Sequence, residues 1–231
     1  MLKNTIVALD QLSIKDIDDL MPKLHQFNHF KLGLEIFNKH GKDYISIFQN
    51  KYNKSIFLDL KLHDIPKTVY QAIKSLDGIK IQFLTIHLTG GREMIEAAME
   101  AKRKYLPNTT ILGVSYLTSL GNNDFNELFG AKESEISQYF ERLFRLAAEC
   151  KIDGLISSPH ELDIISRVEE TSGHQFVKIT PGIRFSSDSI DDQKRVMTPK
   201  EAFAKNADFI VMGRAITKSE NLNEVIEKLS H

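Results

Sequence analysis

The chain has 231 residues, of which 42% are hydrophobic and 26% are charged, and 30 Lys and Arg against 31 Asp and Glu leave a formal net charge of -1. This composition is typical of a globular protein with one domain, here predicted over residues 1–231, and it argues against a generalised basic surface for nucleic acid or for anionic membranes. The single cysteine, Cys150, excludes an intramolecular disulfide and a cysteine-cluster metal site, and it fits a cytoplasmic protein.

Neither a targeting signal nor a membrane span is expected. The first apolar run, residues 6–9, ends at Asp10 and is too short for the apolar core of a signal peptide. The longest stretch without charges, residues 105–123, is interrupted by Pro107, Asn108 and Gly113, so it does not predict a span.

In chain order, short apolar runs alternate with longer amphipathic stretches, a pattern typical of βα units around a mostly parallel sheet. Eight runs predict strands, at residues 5–9, 30–33, 55–60, 83–87, 110–114, 154–157, 176–180 and 208–212. The clearest helices have an apolar stripe each, formed by Ile136, Phe140, Leu143, Phe144, Ala147 and Ala148, and by Leu222, Val225, Ile226 and Leu229. Two helix starts carry a hydroxyl N-cap, then Pro, then Glu as a capping box, at residues 158–161 and 198–201.

Eight βα units in 231 residues favour an α/β fold of the (βα)8 TIM barrel type. A doubly wound open sheet is the alternative, but no glycine-rich dinucleotide-binding turn follows the first predicted strand. Because the active sites of such barrels lie at the carboxyl ends of the strands, polar residues at those ends are the candidates for a site. They are Asp10, Lys31, Asp59, Lys61, His87, Arg184, Gly213 and Arg214.

Asp59 and Lys61 lie two positions apart in the third predicted strand, so their side chains are expected on one face and the neighbouring leucines on the other. With the leucines facing the helices, the charges would face the barrel interior, where burial is costly unless they are paired. A salt bridge that only lines the barrel is the alternative to a catalytic role. Carboxylates beside an ammonium group favour its charged form, which suits Lys61 to delivering a proton and not to forming a Schiff base.

A second group of residues is suited to phosphate. Gly213 and Arg214 follow the eighth predicted strand and are expected to open the last helix, and Arg184 follows the seventh strand. Backbone N–H groups at a helix start and bidentate guanidinium groups favour an anion, although a Gly-Arg pair alone is a weak signal. The long polar connection 185–197 favours a lid over the ligand, with a disordered insertion as the alternative.

His87 and Cys150 are interpreted without a catalytic role. His87 is expected to be a core or interface histidine, because no second His or carboxylate is expected where it could complete a metal site. Alternation points His63 away from Asp59, and the other histidines are expected in helices or loops. Cys150 lies on the apolar side of its predicted helix and is expected in the core.

Residues 59–68 read Asp-Leu-Lys-Leu-His-Asp-Ile-Pro-Lys-Thr. With this segment the chain resembles the orotidine 5'-phosphate decarboxylase family, whose signature is Asp-x-Lys-x-x-Asp followed by Thr. Further matches occur in the family's order and spacing at residues 6–10, 31–33, 180–184, 191–196 and 213–214. The resemblance covers the chain from Ile6 to about Leu222.

The resemblance implies a (βα)8 homodimer with active sites shared across the interface, acting without metal or organic cofactor on a small molecule. The implied reaction converts orotidine 5'-phosphate to UMP and CO2, the last step of de novo UMP biosynthesis. Lys61 would be the proton donor in a network with Lys31, Asp59 and, from the other subunit, Asp64. An origin of Asp64 in the other subunit would also explain its position past the strand end, where it cannot share the face of Asp59 by alternation.

The resemblance also implies a set of substrate contacts. Asp10 would hold the ribose, Thr118 the pyrimidine, and Gln193 would bridge base and phosphate from the lid. Arg184, Gly213 and Arg214 would bind the phosphate. The remaining substrate contacts would come from Pro181, and from Ile65 and Thr68 of the other subunit.

Three other functions are possible for such a chain. The metal-dependent 3-keto-L-gulonate 6-phosphate decarboxylases share the signature but carry an acidic residue in place of Lys31. This function is disfavoured, because the positive charge of Lys31 would repel magnesium. A nucleotide sensor without catalysis is disfavoured because Lys61 and Asp64 are both retained. An RNA-binding module is disfavoured by the balanced charge and by the lack of a basic aromatic motif.

Overall fold

A computed structural model describes residues 1–185 and 197–230. Over these residues eight parallel strands close into a barrel in chain order, and the last strand pairs with the first. The strands are β1 Thr5–Ala8, β2 His29–Gly33, β3 Ser55–Leu62, β4 Phe83–His87, β5 Thr110–Val114, β6 Gly154–Ile156, β7 Val177–Thr180 and β8 Phe209–Met212. The predicted barrel is therefore confirmed, and the open sheet is wrong.

Helices occupy the connections and cover the outside of the barrel. They are α1 Ile14–Leu20, α2 Leu34–Tyr52, α3 Pro66–Ser75, α4 Gly91–Tyr105, α5 Asn122–Phe129, α6 Ile136–Glu149, α7 Leu162–Ser172, α8 Pro199–Ala204, α9 Arg214–Thr217 and α10 Leu222–Ser230. Short 3-10 helices add Leu2–Asn4, Leu88–Gly90, Glu133–Glu135 and Pro159–Glu161. In the described part of the chain, none of the helices has the length and apolar character needed to cross a membrane.

The two predicted helix starts differ in outcome. At Thr198 the capping box is confirmed, because its hydroxyl accepts from the Glu201 N–H and the Glu201 carboxylate accepts from the Thr198 N–H. At Ser158 the hydroxyl accepts from the His160 N–H, but it caps the 3-10 turn, and α7 begins only after it.

Side-chain alternation along the strands divides the core in two. Outward residues such as Leu58 and Leu84 pack against the helices in the larger core. Inward residues such as Phe57, Phe83 and Leu112 fill the barrel interior. Each fully buried side chain of this size contributes about 1.5–3 kcal/mol. Beyond this packed interior, a pocket opens at the carboxyl ends of the strands.

Candidate active site

A pocket of about 920 Å³ opens at the carboxyl ends of the strands. Its floor is apolar, because Phe57, Val114, Ile156 and Val211 of the barrel interior line it. The lining residues that the sequence singles out are Asp10, Lys31, Asp59, Lys61, Thr118, Pro181, Arg184, Gly213 and Arg214. The fold therefore brings distant segments of the chain to one cavity.

Four of these side chains form a network of alternating charge. The Lys31 Nζ lies 2.5 Å from Asp10 Oδ2 and 3.2 Å from Asp59 Oδ2. The Lys61 Nζ lies 2.6 Å from the same Asp59 Oδ2. The central side chains, Lys31 and Asp59, are 12% and 8% exposed, whereas Lys61 and Asp10 at the two ends are 31% and 40% exposed. The formal charges cancel, and the Lys61 ammonium group stays accessible from the pocket.

The pKa values at the centre of the network follow from burial and charge together. Burial acts to lower the pKa of Lys31, but Asp59 and Asp10 outweigh burial and hold this pKa above its usual value. Burial acts to raise the pKa of Asp59, but Lys31, Lys61 and the hydroxyl of Thr85 hold it below its usual value. Both groups are therefore charged at neutral pH.

The backbone beneath Lys61 is not a regular strand. The β3–β4 ladder is interrupted between Leu58 and Leu62, and Lys61 has a φ of 46°, in the left-handed region. Leu58 and Leu60 pack in the outer core, as the alternation predicts. However, Lys61 reaches Asp59 from a bulge and not from the flat pleat that the sequence predicts.

The ends of β7 and β8 contribute the residues expected at a phosphate. Arg184 and Arg214 both line the pocket, and Gly213 is the N-cap residue of α9. The expectation that Gly213 opens the last helix is wrong, because α9 is a single turn and the last helix is α10. The backbone at Arg184 is fixed by its N–H, which donates to the carbonyl of Met197 at 3.1 Å.

Comparison with known proteins agrees with this geometry. The model of the Orotidine 5'-phosphate decarboxylase / HUMPS family matches residues 3–229. Relatives named Orotidine 5'-phosphate decarboxylase, from Fusobacterium nucleatum subsp. nucleatum and Malacoplasma penetrans, are 39% and 37% identical over 97% and 95% of this chain and 93% of each relative. The crystal structure of Orotidine 5'-phosphate decarboxylase from Lactobacillus acidophilus superposes with a TM-score of 0.79 at 31% identity, covering 99% of this chain and 97% of that one.

The chain belongs to the orotidine 5'-phosphate decarboxylase / HUMPS family. The relatives' name denotes a carboxy-lyase, so the sequence-based expectation of an enzyme of this class is confirmed. The match extends over nearly the whole chain, well beyond the signature segment.

Three of the described site residues expected from the family resemblance do not line this pocket. Asp64, Ile65 and Thr68 are exposed at the start of α3, and the Asp64 carboxylate accepts from the Ile65 N–H at 2.7 Å. The expectation that they serve another subunit stays a prediction. Gln193 lies outside the described residues, together with most of the expected lid.

His87 lies beside His63, and the two rings are 5.1 Å apart. Burial and electrostatic interaction with His63 and Lys61 lower the pKa of His87 to about 4, so this ring is neutral at pH 7. Among the described residues, no group of three or more His, Cys, Asp or Glu is placed to hold a metal ion.

Sequence reasoning missed two residues that shape the network. Thr85 of β4 is fully buried and hydrogen bonded to Asp59, and Gly33 lies against Asp10. The signal for Thr85 is a polar residue in the middle of β4, between Leu84 and Ile86, which nothing in a purely structural strand requires. Cys150, by contrast, lies in the core as predicted.

Proposed function

We propose that this enzyme decarboxylates orotidine 5'-phosphate to UMP and CO2, the last step of de novo UMP biosynthesis. The observation that carries the proposal is the Lys61 ammonium group, held 2.6 Å from buried Asp59 in a pocket that Arg184 and Arg214 also line. One pocket thus offers a proton donor and two cationic groups for a phosphate. The names of the relatives support the same substrate.

In the proposed reaction, the bond between C6 of the pyrimidine and its carboxylate breaks, and the electron pair stays on C6 as CO2 leaves. A proton moves from the Lys61 Nζ to C6, and solvent returns a proton to Lys61. At an effective dielectric constant of about 20, unit charges about 4 Å apart interact by about 4 kcal/mol, so a single ammonium contact supplies only part of the barrier reduction. The rest would come from the preorganised network and from phosphate binding energy.

The other residues take the roles that the family resemblance implies. Lys31 and Asp59 hold the Lys61 ammonium group in place, and Asp10 binds the ribose. Thr118 contacts the pyrimidine. Gln193 bridges the base and the phosphate, and Pro181 is a further substrate contact. The proposed phosphate contacts are Arg184, Gly213 and Arg214.

The position of Lys31 argues against the metal-dependent relatives as a model for this chain. Its ammonium group lies between the carboxylates of Asp10 and Asp59, 2.5 and 3.2 Å away. A metal ion held by these carboxylates would lie against the positive charge of Lys31. The same carboxylates stabilise that charge, because they raise the pKa of Lys31. A magnesium-bound intermediate at this point would therefore be disfavoured.

We further propose a homodimer with shared active sites, located in the cytoplasm. Ile65 is 65% exposed, which is unusual for an isoleucine, and it lies beside the exposed Asp64. A second subunit would cover Ile65 and receive the Asp64 carboxylate in its own pocket. The free thiol of Cys150 fits the reducing conditions of the cytoplasm.

The proposed activity is tested by following the ultraviolet absorbance of orotidine 5'-phosphate in the presence of excess chelator. We expect turnover by the wild-type enzyme, and a fall in kcat of roughly 10²- to 10⁴-fold for Lys61→Ala, because general acid catalysis contributes about this much. Lys54→Ala, which removes a partly exposed lysine just before β3 that does not line the pocket, is the control and should keep the wild-type rate. Absence of turnover by folded wild-type enzyme, or a near-normal rate for Lys61→Ala, would contradict the proposal.

A further inference from the structure

The bulge in β3 faces one residue of β4. The β3–β4 pairing runs through Leu58 and Leu84 and resumes only at Leu62 and Ile86. Three residues of β3, numbers 59–61, therefore lie opposite the single residue Thr85. Bulges occur beside active sites, where they redirect side chains, and this one contains both Asp59 and Lys61.

The hydroxyl group of Thr85 makes two hydrogen bonds inside this bulge. It donates to Asp59 Oδ1 at 2.9 Å and accepts from the backbone N–H of Lys61 at 2.9 Å. Since Thr85 occupies Oδ1, the other oxygen of Asp59 faces the ammonium groups of Lys31 and Lys61. The hydroxyl thus sets the rotation of the carboxylate at the centre of the network.

The same hydroxyl supports an unusual backbone conformation. A residue with a side chain rarely adopts a φ of 46°, and it keeps such a conformation only where its surroundings hold it. The hydrogen bond from the Lys61 N–H to Thr85 replaces the ladder bond that the bulge removes. Thr85 is 0% exposed, so bulk water cannot take over this contact.

We propose that Thr85 is a positioning residue for the decarboxylation. It fixes Asp59 through Oδ1 and Lys61 through its backbone, so that the Lys61 ammonium group points into the pocket at one angle. A hydroxyl suits this place because it donates and accepts at once, whereas valine can do neither. The inference rests on the proposed function, in which Lys61 delivers the proton.

The test compares Thr85→Val and Thr85→Ser by steady-state kinetics and by calorimetric binding of UMP. We expect kcat of Thr85→Val to fall roughly 10- to 100-fold, because a misplacement of about 1 Å costs about 100-fold in rate. KM and the Kd for UMP should change less than about threefold, because the phosphate contacts remain. Thr85→Ser keeps the hydroxyl and should stay within about threefold of wild-type kcat. If Thr85→Val does not fold, Thr85→Ala takes its place with the same expected kcat.

Thr109→Val is the matched control. Thr109 is also a buried threonine, and its hydroxyl donates to the Ile81 carbonyl at 2.8 Å. It lies directly before β5, at the amino end of the strand and away from the pocket. We expect a loss of thermal stability and an unchanged kcat. A wild-type kcat for Thr85→Val, or an equal fall in kcat for Thr85→Val, Thr85→Ser and Thr109→Val, would overturn the inference. Inactive wild-type enzyme would instead show that the proposed function had failed, so the two failures are distinguishable.

Discussion

Gly33 shows how one missing side chain shapes the charged network. It ends β2, and the Asp10 carboxylate occupies the space where a Cβ would stand, with the Lys31 Nζ 3.6 Å from that position. The φ of Gly33 is -98°, which any residue can adopt, so the requirement for glycine is spatial and not conformational. A methyl group at this position would push Asp10 away from Lys31.

We therefore expect Gly33→Ala to lower kcat/KM for orotidine 5'-phosphate about tenfold, which corresponds to about 1.4 kcal/mol. In an Asp10→Ala background, the space is already free, and Gly33→Ala should then change kcat/KM less than about twofold. Such non-additivity is the sign of two residues in contact. Steady-state kinetics on the four proteins checks the prediction, and equal effects in both backgrounds would rule out the collision with Asp10 as the cause.

At the scale of elements, a buried ion pair joins β7 to α7. The Lys178 Nζ lies 2.9 and 3.2 Å from the two carboxylate oxygens of Glu169, and these side chains are only 9% and 8% exposed. Glu169 also accepts from the Phe176 N–H at 2.8 Å. The pair lies outside the pocket, so its role is to fix the helix against the strand.

Breaking this buried ion pair should lower the free energy of unfolding far more than breaking an exposed ion pair. We expect Lys178→Met to lower the free energy of unfolding by about 3–5 kcal/mol, because it leaves the Glu169 charge buried and unpaired. The double variant Lys178→Met/Glu169→Gln should recover part of this loss, since the amide is neutral and still accepts from Phe176. Urea unfolding measures both.

The exposed pair of Arg145 and Glu141, one helical turn apart in α6, is the control for this prediction. Arg145→Met should change the free energy of unfolding by less than about 0.5 kcal/mol. The prediction fails if Lys178→Met also changes the free energy of unfolding by less than about 0.5 kcal/mol. It also fails if the double variant is as unstable as Lys178→Met, because the buried charge of Glu169 would then not be the cause of the loss.

The secondary structure elements differ in how well the sequence predicts them. Strands of a closed barrel are covered on both faces, so the apolar runs predicted all eight with ends within two residues of those observed. The bulge at residues 59–61 was not predictable in this way. It contains a hydrogen bond between Lys61 and Thr85, which are 24 residues apart and meet only in the folded barrel.

In the whole molecule, some features of the site also follow from the sequence, whereas others depend on contacts that form only in the folded barrel. Asp10, Lys31, Asp59 and Lys61 were found because the carboxyl ends of parallel strands converge in any barrel. Which carboxylate oxygen pairs with which lysine depends on the bulge and on Gly33, and spacing alone does not contain that information. Asp64 is a different case, since its proposed place lies in another copy of the chain.

A shared active site makes a quantitative prediction about mixtures. Lys61→Ala and Asp64→Ala homodimers should each be nearly inactive, because each lacks one essential group in both sites. A mixed dimer would have one site with both substitutions and one site with neither. Random exchange of subunits makes half of the dimers mixed, so the mixture should recover about a quarter of the wild-type activity.

The measurement is the decarboxylation rate of an equimolar mixture of the two variants after mild unfolding and refolding together, which allows subunits to exchange. Differently tagged chains that copurify provide the control for exchange, and light scattering should give the mass of two chains. If tagged chains copurify and the rate stays at the level of the single variants, Asp64 does not act across the interface. If Asp64→Ala alone retains the wild-type rate, the exposed carboxylate beside Ile65 has no part in the reaction, and its position past the end of β3 needs no second subunit.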